Sequence, residues 1–463
     1  MDSSNSKLSK MIRYRVSISD ADEKLREICI TAAEAKYSYP LPSVVHERLE
    51  KELSSIESSG HANQYLIGAM LAEQSEKEGY PVSTRGMVGS ALVSHLCGIT
   101  AVNPLPAHYW CPSCHHFELH DDRNKKTMGY DLSDKACPHC GMVMNAEGAD
   151  IEPEILMGSS LDREPDIILN VAAEVRPKLI AFLKDAFGEN RVFRAGVNAV
   201  LDNGVIKEGV HPGGIFILPE DLDIHEVTEL RPEIPDDDFG LLVTDRDYHE
   251  LDGILKKYDL LTLSELSMLA ELKQCTGVSA GQIKTNDQDI LDMIRQKGFS
   301  FLAGRNVTGN DKDFESTLIR ELKPGCFSEI VRITGMMHGV QTWKNNAELL
   351  LRSGHKLADC ISTRDDIMQE LISVGKDRER AYEIMNYVRK GCGLTEEMEQ
   401  EMASVGMPDW FIESCDKIVY LFPKAHVTEY ALIYWELAYY RLHFPEEYAK
   451  VLAGPQRNAE SVS

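Results

Sequence analysis

Arg163-Glu164-Pro165-Asp166-Ile167-Ile168-Leu169-Asn170 is the stretch on which the reading of the chain turns. It reads as a short strand following a proline. Side chains two residues apart on a strand point to the same face, so Asp166 and Ile168 share one. One is an acid and the other a branched hydrocarbon.

Working upstream, residues 1–20 are polar and serine-rich, and a helical pattern opens at Asp20-Ala21-Asp22 and runs to about Lys36. Val45, Leu49, Leu53 and Ile56 recur at helical spacing up to Gly60, and a further helix over 65–78 stops at Gly79. Ser83 to Ala91 is a small-residue turn entering another helical stretch. Glycines there let backbone N–H groups approach a phosphate and Arg85 offers a fork of donors, although most such turns are only turns. Cys111-Pro112-Ser113-Cys114 and Cys137-Pro138-His139-Cys140 form two knuckles. Four thiolates complete a tetrahedral shell with no open position, so Cys111, Cys114, Cys137 and Cys140 predict a structural zinc site, and the neighbouring His115, His116 and His139 are bystanders.

Downstream, a helix over 172–187, a short strand over 191–195 and a glycine turn feeding an apolar strand over 209–218 are expected. Residues 219–252 are acidic, with Asp236-Asp237-Asp238 reading as a solvated loop. Residues 255–261 suit a strand whose Asp259 points toward Asp166; in isolation that aspartate would be a surface or capping residue. From about residue 290 the pattern is helical, and 428–443 is apolar almost all round except Glu429, Glu436 and Arg441, so it is expected to be buried. Residues 453–463 read as a tail. The whole composition, 43% hydrophobic and 27% charged over 463 residues, is that of a folded chain of two or three domains. A formal charge of −25 repels polyanions at long range, so any nucleic-acid contact must rest on local basic patches. With no signal peptide and no apolar run of about 18 residues, a cytoplasmic protein away from the membrane is expected.

The ordered motifs resemble a known family. Leu-Pro-Ser-Val-Val-His-Glu-Arg-Leu-Glu-Lys-Glu-Leu (41–53), Thr-Arg-Gly-Met-Val-Gly-Ser (84–90), Val-Asn-Pro-Leu-Pro-Ala-His-Tyr-Trp-Cys-Pro (102–112) and Pro-Asp-Ile-Ile-Leu-Asn (165–170) come first. His-Pro-Gly-Gly-Ile (211–215), Thr-Gly-Met-Met-His-Gly (334–339), Arg-Asp-Asp-Ile-Met (364–368), Val-Arg-Lys-Gly-Cys-Gly-Leu-Thr-Glu-Glu (388–397) and Phe-Pro-Lys-Ala-His (422–426) follow. Together they resemble the palm and fingers of the PolC-type DNA polymerase III alpha subunit over roughly residues 20–450. The resemblance implies an α/β (α+β) fold, with a nucleotidyltransferase-type palm built on a mixed sheet and carrying a zinc-ribbon insertion, then a mostly helical fingers domain. It divides the chain into a lead-in to residue 40 holding the end of a PHP region, a palm-like part over 41–290 and fingers over 291–452. The ribbon falls at about 108–146 and a shortened thumb segment at about 196–210. It further implies DNA and dNTP as partners, a replisome protein partner, and aspartates holding two Mg²⁺ ions that activate the primer hydroxyl. Asp166 takes the place of the first aspartate and Asp259 of the third. Arg85, Gly86, Gly89 and Ser90 match the triphosphate loop, and Arg389, Lys390, Lys424 and His426 match fingers motifs that hold triphosphate or template.

The chain also departs from that pattern. Ile168 stands where the second aspartate belongs, and Glu164 and Glu174 are no evident substitutes. Met87 replaces a small hydroxyl residue, Cys392 replaces a lysine, and a link containing Asp202-Asn203-Gly204 replaces the helical thumb. The complete PHP region, the exonuclease and the clamp-binding and duplex-binding domains are absent from the pattern. Three readings follow: a truncated active polymerase, a catalytically silent polymerase-like binding protein, and a paralogue with no selected role. The loss of a metal ligand favours the second.

Overall fold

The computed structural model describes residues 17–120, 127–200, 206–234, 239–299 and 310–454. The readings made on residues 1–16, on Asp202 to Gly204, on Asp236 to Asp238 and on 455–463 lie outside them. The strands are β1 (Ser83–Thr84), β2 (His108–Trp110), β3 (Phe117–Leu119), β4 (Asn145–Glu147), β5 (Ile168–Val171), β6 (Val192–Val200), β7 (Ile206–Ile217), β8 (Leu230–Arg231), β9 (Val243–Asp247) and β10 (Lys257–Thr262).

Seven of these strands form one mixed sheet in the order β1-β5-β10-β7-β6-β9-β8. The quoted stretch leads into an interior strand because the alternate residues Ile167, Leu169 and the following Val171 are wholly buried, while the other face carries Asp166, Ile168 and Asn170. β5 and β10 are parallel, and β1 closes one edge antiparallel to β5. The smaller sheet, β3-β2-β4, carries the two cysteine knuckles and has its own small core of Tyr109, Leu132 and Met144. Together these make the fold a mixed α/β one, with helices continuing from Gln288–Lys297 to Pro445–Leu452.

The helix Ala21–Tyr37 is an integral part of the packing, since Leu25, Cys29, Ala33 and Tyr37 enter the same core cluster as β5 and the C-terminal helices. The apolar segment expected over 428–443 is the second part of a longer helix, Lys424–His443, which is buried along most of its length. It begins earlier than its hydropathy suggests because Pro423 fixes the first turn and Lys424 and His426 are themselves buried.

Two strand readings need correction. The strand expected over 191–195 continues to Val200, and 209–218 holds no glycine turn: β6 and β7 pair from Val192↔Ile217 to Val200↔Ile206 as one long antiparallel hairpin. The segment expected as a shortened thumb link is therefore sheet on both of its described sides. The glycines inside β7 serve close approach. A Cβ on Gly213 would lie 2.7–2.9 Å from Leu261 Cδ2 and the Leu260 carbonyl, and one on Gly214 would lie 2.9 Å from the Ala195 Cβ. Replacing Gly213 by valine is expected to destabilise the fold by about 1–3 kcal/mol, because the opposing group is backbone and cannot rotate away. Chemical denaturation checks this, and an unchanged midpoint would show that β7 and β10 separate freely.

Candidate active site

Strand register brings the acidic residues together. In the parallel pair β5/β10, Asp259 lies directly across from Ile168. The two side chains are neighbours on one face, and Asp166, two residues before Ile168, belongs to the same face. The backbone N–H of Asp259 donates to the Ile167 carbonyl at 3.0 Å, which extends the ladder toward Asp166.

Both carboxylates are already paired. Lys256 Nζ lies 2.9 Å from Asp166 Oδ1, and Arg163 Nη2 lies 3.7 Å from Oδ2. Lys257 Nζ hydrogen-bonds Asp259 Oδ2. Asp166 is more than half exposed, whereas the Asp259 side chain is only 7% exposed. Partial burial pulls the Asp166 carboxyl upward, but Lys256, Arg163 and Lys257 outweigh it and hold the group below the ordinary aspartate range. His211 Nδ1 stands 3.4 Å from Asp259 Oδ1, which is buried and makes no hydrogen bond to the described residues. Burial lowers the His211 pKa, so at neutral pH the imidazole is uncharged.

Two Mg²⁺ ions require oxygen ligands in near-octahedral order. Ile168 supplies none, and each remaining carboxylate holds a lysine. Among the described residues, the only group of three or more cysteine, histidine or acidic side chains close enough to share an ion is the four cysteines. These residues do not fit a two-ion centre. The neighbouring acids are engaged elsewhere: Glu164 accepts from Gln64 Nε2 and Glu174 from Ser267 Oγ, both at 2.6 Å.

The turn after β1 joins the sheet to the helix Lys424–His443. Gly86 has φ +76°, a left-handed conformation that favours glycine. Its N–H donates to His426 Nδ1 at 3.2 Å, and the Arg85 N–H donates to the Ile168 carbonyl at 3.1 Å. The Ser90 N–H is held by the Met87 carbonyl at 2.8 Å. Three N–H groups of the expected phosphate cradle therefore have partners inside the protein. Gly89 is packed against Thr84, Thr100 and Ala425, where a Cβ would lie 2.9–3.3 Å from each. Its smallness seats the loop on the helix. His426 is stacked on Phe422 and its Nε2 meets His338 Nδ1 at 3.3 Å. Burial, reinforced by His338, Arg85 and Arg364, depresses its pKa strongly, so it acts as a neutral strut.

The cations, by contrast, converge on the site. Met87 Sδ, which replaces the expected hydroxyl, receives Arg364 Nη1 at 3.0 Å and Arg163 Nη1 at 3.7 Å. Arg364 is almost fully buried and donates from Nε and Nη2 to the Leu421 carbonyl. Burial and the nearby Arg389 lower its pKa to about 10. Arg389 is half-buried, with Nε on Asn386 Oδ1 at 2.7 Å, and Lys390 and Cys392 are exposed beside it. The buried Asp365, whose pKa burial pushes up to about 6, accepts the Lys424 N–H at 2.8 Å. Arg163, His211 and Arg364 lie within or next to the quoted motifs and Lys256 and Lys257 within the expected strand over 255–261, but their side-chain directions have no signature in sequence spacing.

In the ribbon, the four cysteine sulfurs lie within 4.8 Å of one another, with Cys111–Cys140 at 3.4 Å and Cys114–Cys137 at 3.5 Å. Tetrahedral zinc thiolate bonds place sulfurs about 3.8 Å apart, so the donor set suits such an ion. His115 and Gly141, at φ +61° and +75°, turn the two knuckles, and the N–H groups of Cys111 and Cys137 return to His116 O and Met142 O.

Comparison with known proteins adds to this geometry. The model of the bacterial DNA polymerase III alpha NTPase domain matches residues 23–208, and that of the bacterial DNA polymerase III alpha subunit finger domain matches residues 259–406. The chain is 37% identical to a DNA polymerase III PolC-type of Caldanaerobacter subterraneus subsp. tengcongensis, over 93% of this chain and 34% of that protein. It is 36% identical to those of Thermotoga maritima, over 93% and 34%, and Bacillus subtilis, over 93% and 33%. The chain spans about a third of the length of these curated relatives.

Glu429 ties the loop to the helix, accepting from Thr84 Oγ1 at 3.1 Å, Thr100 Oγ1 at 2.5 Å and the Ala101 N–H at 3.2 Å. Burial raises its pKa to about 7, and Glu436, two turns further on, is raised to about 8 by burial and by Glu429. A raised pKa means that the folded state favours the protonated form. The corresponding stability is full below the ordinary glutamate range and is lost as pH rises through about 7. Thermal unfolding midpoints should therefore fall between about pH 5 and pH 8, and Glu429→Gln should flatten part of that slope. Equal slopes in the two proteins would exclude Glu429 as its source.

Proposed function

The chain belongs to the PolC-type DNA polymerase III alpha family, and from that premise we propose that it is a polymerase-like binding protein whose nucleotidyl transfer is impaired. In this reading it keeps the nucleotide- and nucleic-acid-binding face of palm and fingers. The observation that carries it is Ile168 opposite Asp259, with the two surviving acids each on a lysine. In-line phosphoryl transfer depends on cations that activate the attacking hydroxyl and spread the developing charge. Here the face that would hold them supplies two carboxylates and a hydrocarbon.

The roles follow from position. Arg85, Arg163, Arg364 and Arg389 surround Met87 or flank it and offer planar donor forks for phosphate oxygens. Lys424 and Lys390 add charge from the fingers side. The long β6/β7 hairpin stands where a helical thumb is expected, which argues against a firm grip on duplex DNA. DNA, dNTP and a replisome protein remain the partners proposed from kinship. Among the described residues no helix is long and apolar enough to cross a membrane. Cys111, Cys114, Cys137 and Cys140 are proposed to hold a structural zinc that fixes the ribbon on the palm.

Primer extension with Mg²⁺ or Mn²⁺ and all four dNTPs should give no product above background. Template-dependent extension that disappears in Asp166→Ala would overturn the reading, and Ile168→Asp tests whether one ligand alone is missing. Metal analysis of protein purified without added zinc should find about one zinc per chain. A folded, zinc-free preparation would refute the four-thiolate site.

A further inference from the structure

We propose that Lys256 and Lys257 stand in for divalent cations, so that this cleft binds the polyphosphate of a nucleoside triphosphate without any metal ion. The inference rests on the reading above that the cleft accepts a nucleotide, and it specifies the charge balance by which it does so.

The first support is neutralisation. Metals at a carboxylate face cancel charge that would otherwise repel a phosphate. Here Lys256 does so for Asp166 at 2.9 Å and Lys257 does so for Asp259, while Ile168 removes the third negative charge. The Lys257–Asp259 pair is largely shielded, with side chains 22% and 7% exposed, so its solvent screening is limited, whereas Lys256, 16% exposed, meets an Asp166 that opens to solvent. Lys256 and Lys257 also lie in residues 209–258, the stretch that neither family model matches.

The second support is the surplus of cations that remains. Arg85, Arg364, Arg389 and Lys424 make no ion pair among the described residues, and Arg163 shares only Asp166, at 3.7 Å. Arg364 and Lys424 are 2% and 9% exposed. A buried cation is expensive to maintain when its counter-charge is incomplete, and here Arg364 and Lys424 share the buried Asp365 while Arg389 stands close enough to Arg364 to lower its pKa. An anion placed among them relieves both the burial penalty and their mutual repulsion. Asp365 faces Arg364 and Lys424 with its Oδ2 engaged by the Lys424 N–H, and Asp366, also near Lys424, is already paired with Arg332.

Shape selects the ligand class. Arg163 and Arg364 converge on one atom, Met87 Sδ, and Arg85 lies two residues before it in the chain. That is a compact focus of positive charge suited to the concentrated charge of a triphosphate. A nucleic-acid backbone needs a basic track, and the long-range field of this chain opposes a polyanion.

Calorimetric titration of the folded chain with dATP, in EDTA and in MgCl₂, tests the proposal. Affinity in EDTA should equal or exceed that in Mg²⁺, since metal would only mask ligand charge. The double variant Lys256→Ala/Lys257→Ala should lose about tenfold or more of the metal-free affinity, and Mg²⁺ should recover part of it through the freed carboxylates. Arg85→Ala, whose guanidinium makes no hydrogen bond among the described residues, should weaken binding with an unchanged melting temperature, which separates ligand contact from folding. Binding that requires Mg²⁺ and vanishes in EDTA would overturn the proposal while leaving a nucleotide cleft intact. Binding in neither buffer would remove the nucleotide reading itself. Tight binding of a single-stranded oligonucleotide without dATP binding would assign the cations to a nucleic-acid backbone and overturn it as well.

Discussion

The parallel pairing of β5 with β10 is the constraint on which the cleft depends. It places Asp259 across from Ile168 and leaves Asp166 one pleat away, so three side chains from two distant parts of the chain share one face. The opposite face is wholly apolar, with Ile167, Leu169, Val171 and Leu260 buried. A slip of one residue would carry Asp166 and Asp259 into that core and expose the hydrocarbons, so the register is enforced by burial over the whole strand pair. Gly213 extends the constraint to β7, where a Cβ would meet Leu260 and Leu261 of β10, and Gly214 does the same toward Ala195 of β6.

A second set of contacts locks the helix Lys424–His443 and Arg364 to this sheet. Glu429 gathers Thr84, Thr100 and Ala101, His426 takes the Gly86 N–H, and Met87 sits between an arginine of the palm side and one of the fingers side. These are buried polar contacts, which are costly when left incomplete and position neighbouring elements tightly when satisfied. The loop that resembles a phosphate cradle is thereby a joint between the sheet and the helix Lys424–His443, and several of its backbone donors serve the joint. Anion binding is left to guanidinium and ammonium groups around it.

Much of this was legible in the sequence, and what was not has a physical reason. The quoted strand, the knuckles and the buried helix carry period-two, spacing and hydropathy signals that depend only on local chain geometry. The pairing of Asp259 with the quoted strand followed from the ordered motifs. The β6/β7 hairpin was missed because its glycines mark turns in most sequences, whereas here they mark close strand approach. Lys256 and Lys257 were missed as partners because two adjacent lysines on a strand read as surface charge. That Lys257 meets Asp259, its own neighbour two along, and Lys256 crosses to Asp166 is decided by rotamers and by the β5/β10 register. Met87 likewise reads as an apolar replacement until two guanidinium groups are found on its sulfur.

Ile168 and the two lysines make one electrostatic unit. With two carboxylates matched by two ammonium groups, and Arg163 3.7 Å from Asp166, the face carries no unmet negative charge. A third carboxylate at 168 would stand beside Asp259 with neither lysine unengaged to meet it, and like charges on directly opposed strand positions destabilise a sheet. Such a face would demand a divalent cation, and the ion would have to displace Lys256 and Lys257 from their contacts, the second of them largely shielded from solvent. The hydrocarbon at 168 is therefore matched to its surroundings. Restoring an acid at 168 would therefore return a ligand without freeing Asp166 and Asp259 from the lysines that hold them.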